Sequence, residues 1–118
     1  MKKLLYIIIA FISFNQNAQQ SYVNLNGIVL DNDSSTPLEY ATISLFQNND
    51  SIVKYGGISD SEGKFSLEIL RGKYDIKLNY ISFKEILIEN LYISNSKDLG
   101  TILMSIDENI LEEIELIG

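Results

Sequence analysis

The nearest approach to a reactive cluster in this chain is Ser59, Asp60, Ser61, Glu62 and Lys64, in the stretch ISDSEGKF. A serine beside a lysine can serve as nucleophile and base. The 118 residues include neither histidine nor cysteine, so imidazole-activated hydroxyls and thiolates are both excluded. A polar turn accounts for the cluster better. The same two absences remove the usual ligands of zinc. Calcium accepts carboxylate and carbonyl oxygens, and two loops offer them. Asp31, Asp33 and Ser35 lie in DNDSS, and Asp60 and Glu62 in DSEG. Neither loop has the full EF-hand pattern, and Asx turns use the same side chains to bind backbone amides. Asp31, Asp33, Asp60 and Glu62 are therefore weak calcium candidates, and no cofactor is expected. Glycoside hydrolysis needs two carboxylates held roughly 5–10 Å apart in a cleft. Glu112, Glu113 and Glu115 sit in the terminal stretch rather than in a pocket. Sugar binding could use tyrosine platforms. Tyr74 and Tyr80 fall in register with core residues, which leaves Tyr55 and Tyr92 as the better exposed candidates.

The elements that would position these residues follow from composition and pattern. The first twenty residues, MKKLLYIIIAFISFNQNAQQ, begin with Lys2 and Lys3, continue with an apolar run from Leu4 to Phe14, and reach the small residue Ala18. That is the layout of a secretory signal peptide, with cleavage expected after Ala18. The apolar run is shorter than the roughly 20 residues of a membrane-crossing helix, and without cysteine a lipid anchor is excluded. Removal of residues 1–18 leaves seven Lys plus Arg against sixteen Asp plus Glu, a net charge near −9. Such a surface repels nucleic-acid backbones and anionic membranes. An exported domain without disulfides must be held by its apolar core.

From position 20 onward apolar residues recur with a period near two, the signature of strands. YVNLNGIVLD alternates through Val23 and Leu25, then shifts near Gly27 to Ile28 and Leu30. ATISLFQ puts Ile43 and Leu45 on one face. SIVKYGGIS is expected to be irregular at Gly56-Gly57, and Gly63 in DSEG is free to take positive φ. KFSLEI places Phe65, Leu67 and Ile69 together, and YDIKLNYISF does the same for Tyr74, Ile76, Leu78 and Tyr80. The whole stretch from Ile58 to Ile86 reads as a pair of hairpins. EILIENLYI is expected to be irregular near Asn90, and LGTILMSI is the last core strand. About seven short strands with a turn signal every 8–12 residues predict an antiparallel sandwich.

SDSEGKFSLEILRGKYDIKLNYISFKE resembles the central signature of the carboxypeptidase regulatory-like domain family, through Ser59, Asp60, Gly63, Phe65, Gly72, Tyr74 and Phe83. The upstream stretch NGIVLDNDSSTPLEYATISL is similar to the family's opening at Gly27, Val29, Asp31, Pro37, Leu38, Ala41 and Ile43. One departure is Ser82, where the family usually has glycine. The resemblance covers about residues 25–104. It implies a seven-stranded antiparallel Greek-key sandwich of transthyretin-like type without catalytic activity. The hydrolase branch of that fold uses a histidine, which this chain lacks.

In Bacteroidetes TonB-dependent outer-membrane receptors such a domain follows a signal peptide and precedes a short segment leading to the plug and barrel. LEEIELIG, Leu111 to Gly118, is similar to that segment. The resemblance thus divides the chain into a signal peptide (1–18), a sandwich (19–104) and a tail (105–118). It implies an accessory domain in the periplasm or at the outer membrane that contacts a protein partner, TonB or a receptor plug and barrel. On that reading Leu111, Glu113, Ile114 and Leu116 are the partner-binding residues, because an extended apolar-alternating segment can add a strand to another sheet; the alternative is a tail that pairs with its own sandwich edge or stays disordered. The other reading is a secreted glycan-binding sandwich built on Tyr55 and Tyr92.

Overall fold

The computed structural model describes residues 21–109. Seven strands appear in chain order: β1 (Tyr22–Asp31), β2 (Thr42–Phe46), β3 (Tyr55–Ile58), β4 (Lys64–Leu70), β5 (Gly72–Asn79), β6 (Ile86–Ile93) and β7 (Lys97–Met104). They form two sheets, one ordered β4-β1-β7 and the other β3-β2-β5-β6. The inward residues of each strand meet between them. Leu25, Val29, Ile43, Leu45, Ile69, Ile76, Leu78 and Met104 are completely buried. Each such side chain is worth about 1.5–3 kcal/mol against exposure, so the alternating pattern supplies the stability that disulfides would otherwise provide. Among the described residues no helix is long and apolar enough to cross a membrane.

Several expectations are met. Gly63 takes φ +77°, and Asn90 takes φ +55°. At Asn90 the register between β5 and β6 slips, Tyr74 facing Leu91 while Ile76 faces Ile88. The extra residue lies in β6, and the Asn90 amide donates to Asp75 Oδ1 at 2.9 Å.

Other features depart from the sequence reading. The stretch 58–86 is not a pair of hairpins. β3 and β5 belong to one sheet and β4 to the other, so both turns carry the chain across the sandwich. The hairpins are β2–β3 and β5–β6, which pair antiparallel. Turn residues mark a reversal but not which sheet receives the next strand. β7 pairs with β1 in parallel, from Leu25↔Lys97 to Asp31↔Met104, so one ladder departs from the antiparallel scheme. Alternation is the same for both senses of pairing, and the sequence pattern could not separate them.

The alternation in β1 does not shift at Gly27. Burial continues through Leu25, Gly27 and Val29. Gly27 is itself a core position, where an added Cβ would stand 2.5 Å from Cζ of Phe65. The slip at this level belongs to β7, where Asn26 faces Asp98 and Ile28 faces Thr101, with Gly100 at φ +75°. Gly56-Gly57 is regular against β2, and Gly57 leaves room for Leu67.

Two tyrosines fix the crossing from β4 to β5, where only Arg71 separates the strands. The Tyr74 hydroxyl donates to the Leu70 carbonyl at 2.5 Å, and the Leu70 amide donates to the Tyr55 hydroxyl at 3.2 Å. The two rings meet edge to face, 6.0 Å between centroids. Burial first, then the charge and hydrogen bond of Tyr55, push the Tyr74 hydroxyl up to about 12 from its usual 10.0. A raised tyrosine pKa means that the folded state favours the neutral hydroxyl. Its contribution is complete below pH 10 and disappears as pH rises through about 12. Urea midpoints are expected to fall across that interval, and Tyr74→Phe is expected to flatten the fall; an unchanged pH dependence in the variant would contradict this assignment.

Candidate interaction surface

Several of the family-like residues, Val29, Pro37, Leu38, Ala41, Ser59, Asp60 and Gly63, meet at one end of the sandwich. Ser59 is the only buried polar side chain among the described residues. Its hydroxyl donates to the Leu38 carbonyl at 2.5 Å and accepts the Ala41 amide at 2.8 Å. Backbone bonds Ser59 N to Ala41 O and Tyr40 N to Ser59 O, both 3.0 Å, complete the joint. The segment 37–41 is thereby fastened to the crossing that follows β3. The Val29 amide donates to the Gly63 carbonyl at 2.7 Å, and the Leu38 amide donates to the Val29 carbonyl at 3.0 Å. A side chain at Gly63 would strike the Val29 carbonyl and the Pro37 ring, so both the space and the φ of +77° require glycine there.

The expected reactive groups are placed by this joint and engaged elsewhere. The Ser59 hydroxyl points to Leu38 rather than to a base, and Lys64 Nζ pairs with Glu62 at 3.0 Å. The Glu62 carboxylate holds the Lys64 ammonium pKa above its ordinary value. Asp60 Oδ1 accepts the amides of Glu62 and Lys64, each at 2.9 Å. Asp31 Oδ1 accepts the Asp33 amide at 2.9 Å. These carboxylates act as turn formers, and among the described residues no three carboxylates gather as a metal site. Every buried side-chain nitrogen or oxygen among the described residues has a partner.

The two tyrosines proposed as a platform are not brought together. Tyr55 lies opposite the buried Leu45 and turns inward against Tyr74, which corrects its assignment as an exposed ring. Tyr92 is 68% exposed on the outer face, opposite Lys73. Leu111, Glu113, Ile114 and Leu116 lie outside the described residues, as does the 1–18 segment.

A surface that the sequence reading missed lies at the same end as the Ser59 joint. Tyr40 (68% exposed), Ile58 (59%) and Ile81 (84%) stand free on it. Tyr40 and Ser82 take φ +68° and +65°, tight turns that present Tyr40 and Ile81 outward. Glu39, Tyr40, Thr42, Asn79, Tyr80 and Ile81 line a shallow groove of about 440 Å³. Ile58 borders it, opposite Thr42 in the ladder. The Glu39 carboxylate beside the Tyr40 hydroxyl raises that hydroxyl's pKa. After β7 the chain arrives at this end too. Ile106 bridges to Phe83, the Lys84 amide donates to Ser105 O at 2.8 Å, and the Asp107 amide donates to Ser82 O at 2.9 Å. The described residues therefore end close to the turn that carries Ile81. The available signal was the pair of isolated apolar residues in the loops EYA and YIS, which no strand period explains.

Two substitutions test this end of the molecule. Ser59→Ala leaves a buried amide and a buried carbonyl without the hydroxyl and is expected to cost about 1–3 kcal/mol in urea denaturation; a loss below half of that would mean the joint is not held by this group. Ser82→Gly removes a left-handed non-glycine residue, disfavoured by about 1–2 kcal/mol, against the added chain entropy of glycine. It is expected to raise stability by about 0.5 kcal/mol or more, and a destabilised variant would refute strain at this turn.

No curated protein matches the chain. Among solved structures, a chain of the N-terminal interface mutant of a type II cohesin–X–dockerin complex from Acetivibrio cellulolyticus is similar, with TM-score 0.62 and 19% identity over 79% of this chain and 72% of that one. In the C-terminal interface mutant of that complex, this chain covers only 56% of its counterpart. A 5-hydroxyisourate hydrolase from Klebsiella pneumoniae is similar at TM-score 0.54 and 16% identity, over 72% of this chain and 91% of the hydrolase. BcpA, the major pilin subunit of Bacillus cereus, is similar at TM-score 0.55 and 17% identity, over 74% of this chain and 31% of the pilin. Identities this low establish the shared transthyretin-like fold and nothing about activity. The model of the CarboxypepD_reg-like domain matches residues 25–116, and with the two-sheet sandwich and its Ser59 joint in place, the chain belongs to that non-catalytic family.

Proposed function

We propose that this chain is a non-catalytic accessory domain of the TonB-dependent receptor type, acting by contact with another protein in the periplasm or at the outer membrane. The observation that carries this reading is the exposed apolar end formed by Tyr40, Ile58 and Ile81, close to which Ser105 to Asp107 are bonded. A contiguous group of exposed apolar residues lining a groove marks a site of protein contact. The tail residues Leu111, Glu113, Ile114 and Leu116 extend that contact by adding an extended segment to a partner such as TonB or a receptor plug and barrel. Residues 1–18 direct export. Similar sandwiches occur in a cohesin–X–dockerin complex and in a major pilin subunit, both settings of protein contact. The glycan reading loses its support, because Tyr55 faces inward.

The test is a photo-cross-linking residue placed at Ile81 or at Leu116 in the full chain, expressed in cells that hold outer-membrane receptors. Adducts with a receptor or with TonB in the envelope fraction are expected, and Tyr40→Ser with Ile58→Ser should reduce them while leaving the circular dichroism unchanged. A folded chain that remains in the cytoplasm, or that reaches the envelope and forms no such adduct, would overturn the proposal.

A further inference from the structure

β1 begins at one end of the sandwich, and β7 finishes at the other. The two strands are parallel neighbours, paired from Leu25↔Lys97 to Asp31↔Met104 with one slip near Gly100. The described chain therefore starts beside the beginning of this ladder and leaves beyond its far end. A pull applied at residues 21 and 109 drives β1 and β7 in opposite senses along their common axis. Bonds that run across the strands are then loaded together, over a length of about 20 Å at about 3.3 Å per residue. Opening them one at a time needs a pull across the ladder, which these two ends do not apply.

Other features keep the ladder in that geometry. β1 is the central strand of its sheet, held on its other side by β4 from Tyr22↔Leu70 to Ile28↔Lys64. It cannot swing away from β7 without also leaving β4. The Asn32 amide donates to the Met104 carbonyl at 2.8 Å, which continues the tie past the end of β1. Leu25, Val29 and Met104 are fully buried, so sliding the two strands would also drag core side chains out of register. Between the ladder and the tail, the bridge of Ile106 to Phe83 ties the chain to the second sheet and takes the load first.

We propose that the fold is mechanically anisotropic: a pull between residues 21 and 109 is resisted in shear by the β1–β7 ladder, and a pull across one end of that ladder is not. This goes beyond the contact role proposed above and does not rest on it. The absence of cysteine makes the test direct, because paired handles can be introduced without competing thiols. One protein carries Ser21→Cys and Asn109→Cys, which load the ladder in shear. Another carries Asn24→Cys and Lys97→Cys, which load the same ladder from one end, bond by bond. All four positions are exposed. Forced unfolding follows the barrier along the pulling direction. At equal loading rate the first protein is expected to unfold at roughly three times the force of the second. A ratio of roughly two or more supports the proposal, and a smaller one overturns it. Matching urea midpoints for the two proteins show that the ratio reports direction and not stability.

Discussion

The Ser59 hydroxyl is the constraint on which the arrangement of this molecule depends. It is buried between the two layers, donates to Leu38 and accepts from Ala41. Through those bonds the loop after β1 is fixed to the crossing after β3, and the position of β2 against β4 follows. Gly63 completes the joint from the other side by accepting the Val29 amide. Residues far apart in the chain thus act as one device: Val29, Leu38, Ala41, Ser59 and Gly63 meet around a single turn. A buried polar group left unmatched costs more than a matched one contributes, so the joint specifies one folded arrangement more than it adds to stability.

A second polar device holds the opposite end. Tyr55 and Tyr74 supply hydroxyls to the amide and carbonyl of Leu70, where the chain passes between sheets with one residue of slack. Both devices use polar side chains to satisfy backbone groups rather than to hold a ligand. Asp31, Asp60 and Asp75 do the same at the surface. Among the described residues these hydroxyls and carboxylates are thereby committed to the backbone. What remains for function is shape, exposed apolar area and the path of the chain ends.

Most of the architecture was legible because alternation of side chains survives any pairing scheme. Phe65, Ile69, Tyr74, Ile76 and Leu78 are inward both by pattern and in space, and the irregularity at Asn90 was visible in its residue type. The parallel sense of β1 and β7 was not legible, since it depends on how the chain returns from β6, and no side-chain period records that. Nor was the difference between a hairpin and a crossing: Asp60 to Gly63 looks the same in either. Tyr55 was misplaced because the strand containing it is only four residues long, too short for alternation to assign a face. The apolar end around Tyr40 and Ile81 escaped notice for a related reason, as loop residues carry no period at all.

The irregularities in β6 and β7 have a consequence for crowding. These two strands are edges of their sheets, and a straight edge offers unpaired donors and acceptors to any neighbouring chain. The extra residue at Asn90 and the kink at Gly100 interrupt both edges near their middles. No long uninterrupted template remains on that flank for another copy to zip onto. On that flank, two out-of-step residues break the path along which a second copy could extend either sheet into a fibre.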